Sequence, residues 1–203
     1  MKTSFIEKLQ QGQKQTLVAY GTSLTCGAWV QQLTDALEPI NPCAVHVINS
    51  GMGAMHSDWG VDNFRNRVLA HDPDAVFIEF SINDAFVPYR ISADKSRKNL
   101  EWMLDTLARE HPACEAILMT MNIPLFEHAK QRPQIEEYYE VYREVARARS
   151  LRLIDHFVMW KKILDNYPDN YRLYVPDSIH PNALGSARVT TPGIIESIMG
   201  ELP

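Results

Sequence analysis

Five short apolar runs, rich in β-branched residues, punctuate the chain: 16–20 (TLVAY), 44–48 (AVHVI), 75–80 (AVFIEF), 116–121 (AILMTM) and the weaker 151–154 (LRLI). Runs this short and this uniformly apolar predict strands buried on both faces. The segments between them change period. Trp29, Leu33, Ala36 and Leu37 share one helical face, and Phe64, Val68 and Leu69 do the same before His71. Leu100, Met103, Leu104 and Leu107 line a third face, with Arg97, Glu101, Asp105 and Arg109 away from it. The charged segment 134–150 follows Pro133 and keeps Ile135, Tyr138, Tyr142 and Val145 on one side. A last helix is predicted over 183–199, interrupted or restarted at Pro192-Gly193.

Strand and helix alternate, which predicts a parallel sheet with right-handed crossovers and helices on both faces. The fold class is α/β. No linker, internal repeat or low-complexity stretch divides the 203 residues, so a single domain spanning 1–203 is expected. In such sheets ligands meet the carboxyl ends of the strands, near the switch in strand order. The loops just after each run are therefore where chemistry is sought.

Composition narrows the classes. A formal charge of -5 argues against a nucleic-acid partner, which would call for a basic face. No apolar run approaches a membrane helix, and residues 1–15 hold no signal-peptide core, so no membrane insertion and a cytoplasmic chain are expected. Cys26, Cys43 and Cys114 have neither the number nor the spacing of a disulfide framework or a zinc site, and are expected to be buried or partly buried free thiols. Of only nine glycines, five (Gly21, Gly27, Gly51, Gly53 and Gly60) lie between positions 21 and 60. The chain concentrates its backbone freedom where the first two strand ends fall.

Those strand ends carry polar groups. Gly21-Thr22-Ser23 follows the first run. It either presents Ser23 as a nucleophile whose own amide faces the reaction, or caps a helix. Asn49-Ser50-Gly51-Met52-Gly53-Ala54 follows the second and offers free amides or a simple turn. Asn83, after the third, is either a donor to an oxyanion or an Asx-turn. Asp177-Ser178-Ile179-His180-Pro181 can fold its carboxylate onto Nδ1 of His180 and leave Nε2 as a base. Asp155-His156 is a rival pair, read as structural, and Cys26 is a rival nucleophile expected to enter a helix.

The order of Ser23, glycine loop, Asn83 and Asp177-x-x-His180 resembles the SGNH/GDSL hydrolase superfamily of esterases and lipases, from Val18 through Asn182. The resemblance implies a three-layer, flavodoxin-like α/β/α sandwich on a five-stranded parallel sheet. It implies a nucleophile at Ser23, a base at His180 and an orienting acid at Asp177. The implied oxyanion donors are the Ser23 amide, the Asn83 side chain and a second-loop amide. That amide is counted to Ala54, with Gly53 or Gly51 as fallback. Three positions depart from the family: Thr22 where Asp is usual, Ser81 where Gly is usual, and Ala54 where Gly is usual.

The implied reaction is hydrolysis of small acyl esters through an acyl-enzyme, without metal or organic cofactor. The phrases GTSLT and EFSIND look like carbohydrate acetylesterases, so the small-molecule substrate is expected to be an acetylated carbohydrate or another small acyl ester. Trp29, Trp59, Phe86 and Tyr89 are candidates to line a sugar pocket or simply to pack. Longer-chain lipase or thioesterase activity and a catalytically silent flavodoxin-like binding module are the alternatives. Oligomeric state is left open.

Overall fold

A computed structural model of the chain describes residues 4–42 and 44–200; Cys43, one of the three expected thiols, lies outside them. In chain order, α1 (Phe5–Gln10) precedes β1 (Gln15–Gly21), α2 (Trp29–Leu37) and β2 (Val45–Asn49). Next come α3 (Ser57–Arg67), β3 (Ala75–Glu79), α4 (Ser81–Asp84), α5 (Ala93–Glu110) and β4 (Glu115–Thr120). Then follow α6 (Phe126–Lys130), α7 (Ile135–Arg149), β5 (Arg152–Asp155), α8 (His156–Asn166) and α9 (Pro168–Tyr174). The chain closes with α10 (Ala183–Gly185), a π-helical segment (Ser186–Thr190) and α11 (Thr191–Met199).

The five strands are parallel, in the order β2-β1-β3-β4-β5. Their side chains alternate between two cores, as a period of two requires. Leu17, Ala19, Phe77, Ile117 and Met119 face the side packed by α1, α2 and α11. Val18, Tyr20, Val76, Ile78 and Leu118 face the side packed by α3, α5 and α7. This is the three-layer α/β/α sandwich, with neither sheet face open to water.

Sequence order runs from β1 outward to β2, then returns past β1 to β3 and on to β5. The switch lies between β1 and β3, whose carboxyl ends sit side by side with Gly21 and Glu79 in register. A crevice at such a switch is where an open α/β sheet takes its ligand.

Some elements exceed the hydrophobic pattern. In α1 a capping box closes the first turn: the Ser4 hydroxyl accepts from the Glu7 amide, and the Glu7 carboxylate accepts from the Ser4 amide. The last helix is interrupted and restarts as expected: a π segment over Ser186–Thr190 precedes α11, which begins at Thr191 with Pro192 in its first turn, where a missing N–H costs little. Gly193 allows α11 to pack tightly, since a Cβ there would lie 2.4 Å from the Met159 sulfur.

Candidate active site

Ser23 lies in a series of turns between β1 and α2. The Thr25 amide donates to the Thr22 carbonyl at 3.1 Å, and the Gly27 amide to the Leu24 carbonyl at 3.2 Å. The helix-cap reading of Ser23 therefore fails, because α2 begins only after Ala28 and no side chain caps it. Beneath the turn sits Glu79, fully buried at the end of β3. Its Oε1 accepts from the Thr22 amide (2.7 Å), the Thr22 hydroxyl (2.8 Å) and the Thr25 hydroxyl (2.7 Å). Burial pushes the Glu79 carboxyl up to about 7, against the pull of the Thr25 and Thr22 donors. Oε2 has no hydrogen-bond partner among the described residues. A carboxyl is thus present under the turn although Thr22 stands where the resembled family has Asp.

Asp177 folds back onto His180 through Ser178, whose φ of 70° is left-handed. Asp177 Oδ1 accepts from the Ile179 amide (3.1 Å) and the His180 amide (2.7 Å), and Oδ2 lies 2.6 Å from His180 Nδ1. Burial opposes its ionisation, but the His180 and Ile179 donors outweigh this and hold the carboxyl below its ordinary value. A carboxylate only accepts, so Nδ1 carries the hydrogen and Nε2 is left as an acceptor. Nε2 stands 2.9 Å from Ser23 Oγ. Three residues drawn from two ends of the chain form one line of hydrogen bonds.

The second and third loops meet each other through Asn83 and Met55. Asn83 belongs to α4, and its side chain makes no Asx-turn: Nδ2 donates to the Met55 carbonyl at 2.9 Å. Ala54 has a φ of 60°, the left-handed region that glycine favours, and its carbonyl accepts from the Tyr89 hydroxyl at 2.7 Å. Of the fallback amides, Gly51 is already committed to the Asn49 side chain at 3.0 Å, whereas Gly53, like Ala54, keeps its amide free of protein oxygen and nitrogen acceptors among the described residues. The Ala54 amide takes no protein acceptor among the described residues.

The GDSL-like Lipase/Acylhydrolase family matches residues 18–188. The chain belongs to that family. A curated relative, the uncharacterized lipoprotein YqeF of Bacillus subtilis (strain 168), is 30% identical over 123 residues. That match covers 55% of this chain and 49% of the relative, so the chain spans about half of the curated protein it resembles. The lipase/acylhydrolase from Enterococcus faecalis is 28% identical, with a TM-score of 0.77 over 93% of this chain and 97% of that one. Axe2, an acetylxylan esterase from Geobacillus stearothermophilus, shares the fold at 19% identity and a TM-score of 0.78, covering 95% of this chain and 97% of that one.

In this GDSL-like hydrolase a cavity of about 40 Å³ adjoins Ser23 and His180, walled by Trp29, Met121, Ser186 and Thr190. Of the four candidate aromatic residues, only Trp29 reaches it. Trp29 is buried, with Nε1 tied to the Leu24 carbonyl. Phe86 and Tyr89 pack edge-on beside the Ala54 and Asn83 loops, and Trp59 packs on Tyr20 under Arg67. They form no single sugar pocket. Cys26 is exposed in the turn rather than buried or helical, and burial followed by the charge of Glu79 pushes its thiol up, away from thiolate. Asp155 is occupied by Arg143 and Thr120, and His156 is fully buried, with neither ring nitrogen partnered among the described residues. That pair is structural. Among the described residues no His, Cys, Asp and Glu cluster is placed to hold a metal ion, and no helix is long and apolar enough to cross a membrane.

The sequence reading missed Glu79, Tyr89 as a clamp on Ala54, and Arg132. Glu79 left a signal, as the lone acid inside an otherwise apolar strand run. Arg132 left none, because its contacts with residues 82 and 83 arise only when the chain folds.

Proposed function

We propose that this GDSL-like hydrolase is a serine esterase acting on small acyl esters, with Ser23 as nucleophile, His180 as base and Asp177 as its orienting acid. The observation that carries this is the hydrogen-bonded line from Ser23 Oγ through the His180 ring to Asp177. His180 Nε2 takes the hydroxyl proton as Oγ attacks the ester carbonyl, and the Asp177 carboxylate stabilises the imidazolium that forms. The amides of Ser23 and Ala54 and the Asn83 side chain hold the oxyanion. His180 then protonates the leaving alcohol, and a water deprotonated by the same ring releases the acid.

The cavity volume favours a short acyl group. About 40 Å³ beside Ser23, at roughly 10–15 Å³ per water-sized group, is room for about the atoms of an acetyl. The shared fold with an acetylxylan esterase supports an acetylated carbohydrate as the ester carrying it. The test is turnover of p-nitrophenyl esters from C2 to C12 by wild type and Ser23→Ala. Expected are a preference for C2 and a loss in the variant of at least about 10³-fold. Equal rates in the two proteins would remove Ser23 as nucleophile, and a preference for C8 or longer would move the substrate to lipids or thioesters.

A further inference from the structure

Asn83 has an amide whose two ends are interchangeable in shape but opposite in chemistry. Its neighbours decide which way it faces. The Met55 carbonyl can only accept and lies 2.9 Å from Nδ2; the Arg132 guanidinium can only donate and lies 3.4 Å from Oδ1. Turned the other way, the amide would set a carbonyl against a carbonyl and an NH2 against a cation. One Nδ2 hydrogen is taken by Met55, which leaves the other for a ligand.

Arg132 is unusual in its surroundings. It is 6% exposed, and among the described residues no carboxylate pairs with it. Its acceptors are neutral: the Ile82 carbonyl (Nε, 2.8 Å), the His128 carbonyl (3.4 Å) and Asn83 Oδ1. Its guanidinium lies 4.7 Å from the centre of the Phe86 ring. Burying a charge without a counter-charge is costly, and a buried arginine ordinarily has an acid beside it. The segment that carries it is tied to the loop after Asn83, where the Val87 amide donates to the Gln131 carbonyl at 3.0 Å. A lone buried cation is therefore held directly behind the side chain assigned to the oxyanion.

We propose that Arg132 is the positioning residue for Asn83, turning its amide nitrogen toward the reacting carbonyl and supplying the positive charge that the developing oxyanion lacks. This rests on the esterase reading. In the ground state the charge has only neutral partners and no counter-charge among the described residues; in the tetrahedral intermediate it faces the oxyanion through a polarised amide. The contribution belongs to the transition state, so it appears in kcat rather than KM.

The experiment compares Arg132→Met, Arg132→Lys, Asn83→Ala and the double variant Arg132→Met/Asn83→Ala on p-nitrophenyl acetate. Thermal melts confirm that each is folded. Arg132→Met is expected to lose about 10–100-fold in kcat with KM within threefold, short of the 10²–10³ typical for deleting a donor outright. Arg132→Lys recovers part of the loss, and in the Asn83→Ala background Arg132→Met adds less than twofold. An unchanged kcat, or the same loss with and without Asn83, overturns the proposal. An activity-independent readout is the side-chain amide ¹⁵N–¹H pair of Asn83, which shifts in Arg132→Met if the guanidinium orients it. If wild type neither turns over esters nor is labelled at Ser23 by a fluorophosphonate, the esterase reading falls. The amide signal then decides the orienting role of Arg132 alone: unshifted, it overturns that role too.

Discussion

Ala54 holds a backbone conformation that a glycine would adopt freely. At φ 60° its Cβ crowds the following carbonyl, a strain of roughly 1–2 kcal/mol for an L-residue, and the Tyr89 hydroxyl on its carbonyl helps keep it there. For the oxyanion role proposed for Ala54 the departure from glycine is conservative, since such a donor contributes its N–H and not its side chain. Ala54→Gly trades relief of strain against a more flexible unfolded chain. Its urea-unfolding free energy should stay within about 1 kcal/mol of wild type and its esterase activity should persist. Ala54→Val puts a β-branched side chain where φ is positive, and should lower kcat on p-nitrophenyl acetate by about tenfold or more. Wild-type kcat in the valine variant would remove Ala54 from the oxyanion site.

Among the elements, the strands and the amphipathic helices were legible because burial writes itself as periodicity. Trp29–Leu37 falls where its apolar face places it, and all five apolar runs became strands. The helix α8 was not legible, because it starts on the residue after β5 with no intervening turn signal. The candidate site was legible as a set of residues, in that Ser23, Asp177 and His180 come within hydrogen-bond distance of one another in one line. What supports them was not, because it depends on register. Glu79 reaches the turn above Ser23 only because it pairs with Gly21 across β1 and β3. That register also explains Gly21, where a Cβ would lie 2.4 Å from both the Glu79 carbonyl oxygen and its Oε1. Neither atom can retreat, the one fixed in the sheet and the other by Thr22 and Thr25. Gly21→Ala should therefore cost roughly 2–3 kcal/mol by urea unfolding and displace Ser23 enough to slow esterase turnover. A variant as stable and active as wild type would show that the turn is held from elsewhere.

Taken as a whole, the molecule buries Glu79 and His156, whose shifts pull its acid response in opposite directions. Glu79 has its carboxyl raised to about 7 from 4.5, so the folded state binds the extra proton between those values. Its stabilising contribution is complete below 4.5 and is lost as pH rises through 7. Desolvation lowers the His156 ring from 6.5 to about 4, the charge of Asp155 opposing only in part. Its contribution is complete above 6.5 and is lost as pH falls through 4. Each shift corresponds to about 3 kcal/mol at ~1.4 kcal/mol per unit. Between pH 4.5 and 6.5 the slopes contributed by these two groups oppose and largely cancel each other. Removing either group should unmask the other. Relative to wild type, His156→Phe should become less stable as pH rises from 5 to 6.5, by about 1.4 kcal/mol per unit. Glu79→Gln, which copies the shape of the neutral acid, should become more stable over the same window by a similar slope. Urea titrations followed by tryptophan fluorescence at several pH values measure both. The slope is the readout, so any packing cost of either substitution shifts the line without tilting it. Parallel lines for wild type and both variants would mean that neither group changes its proton on folding.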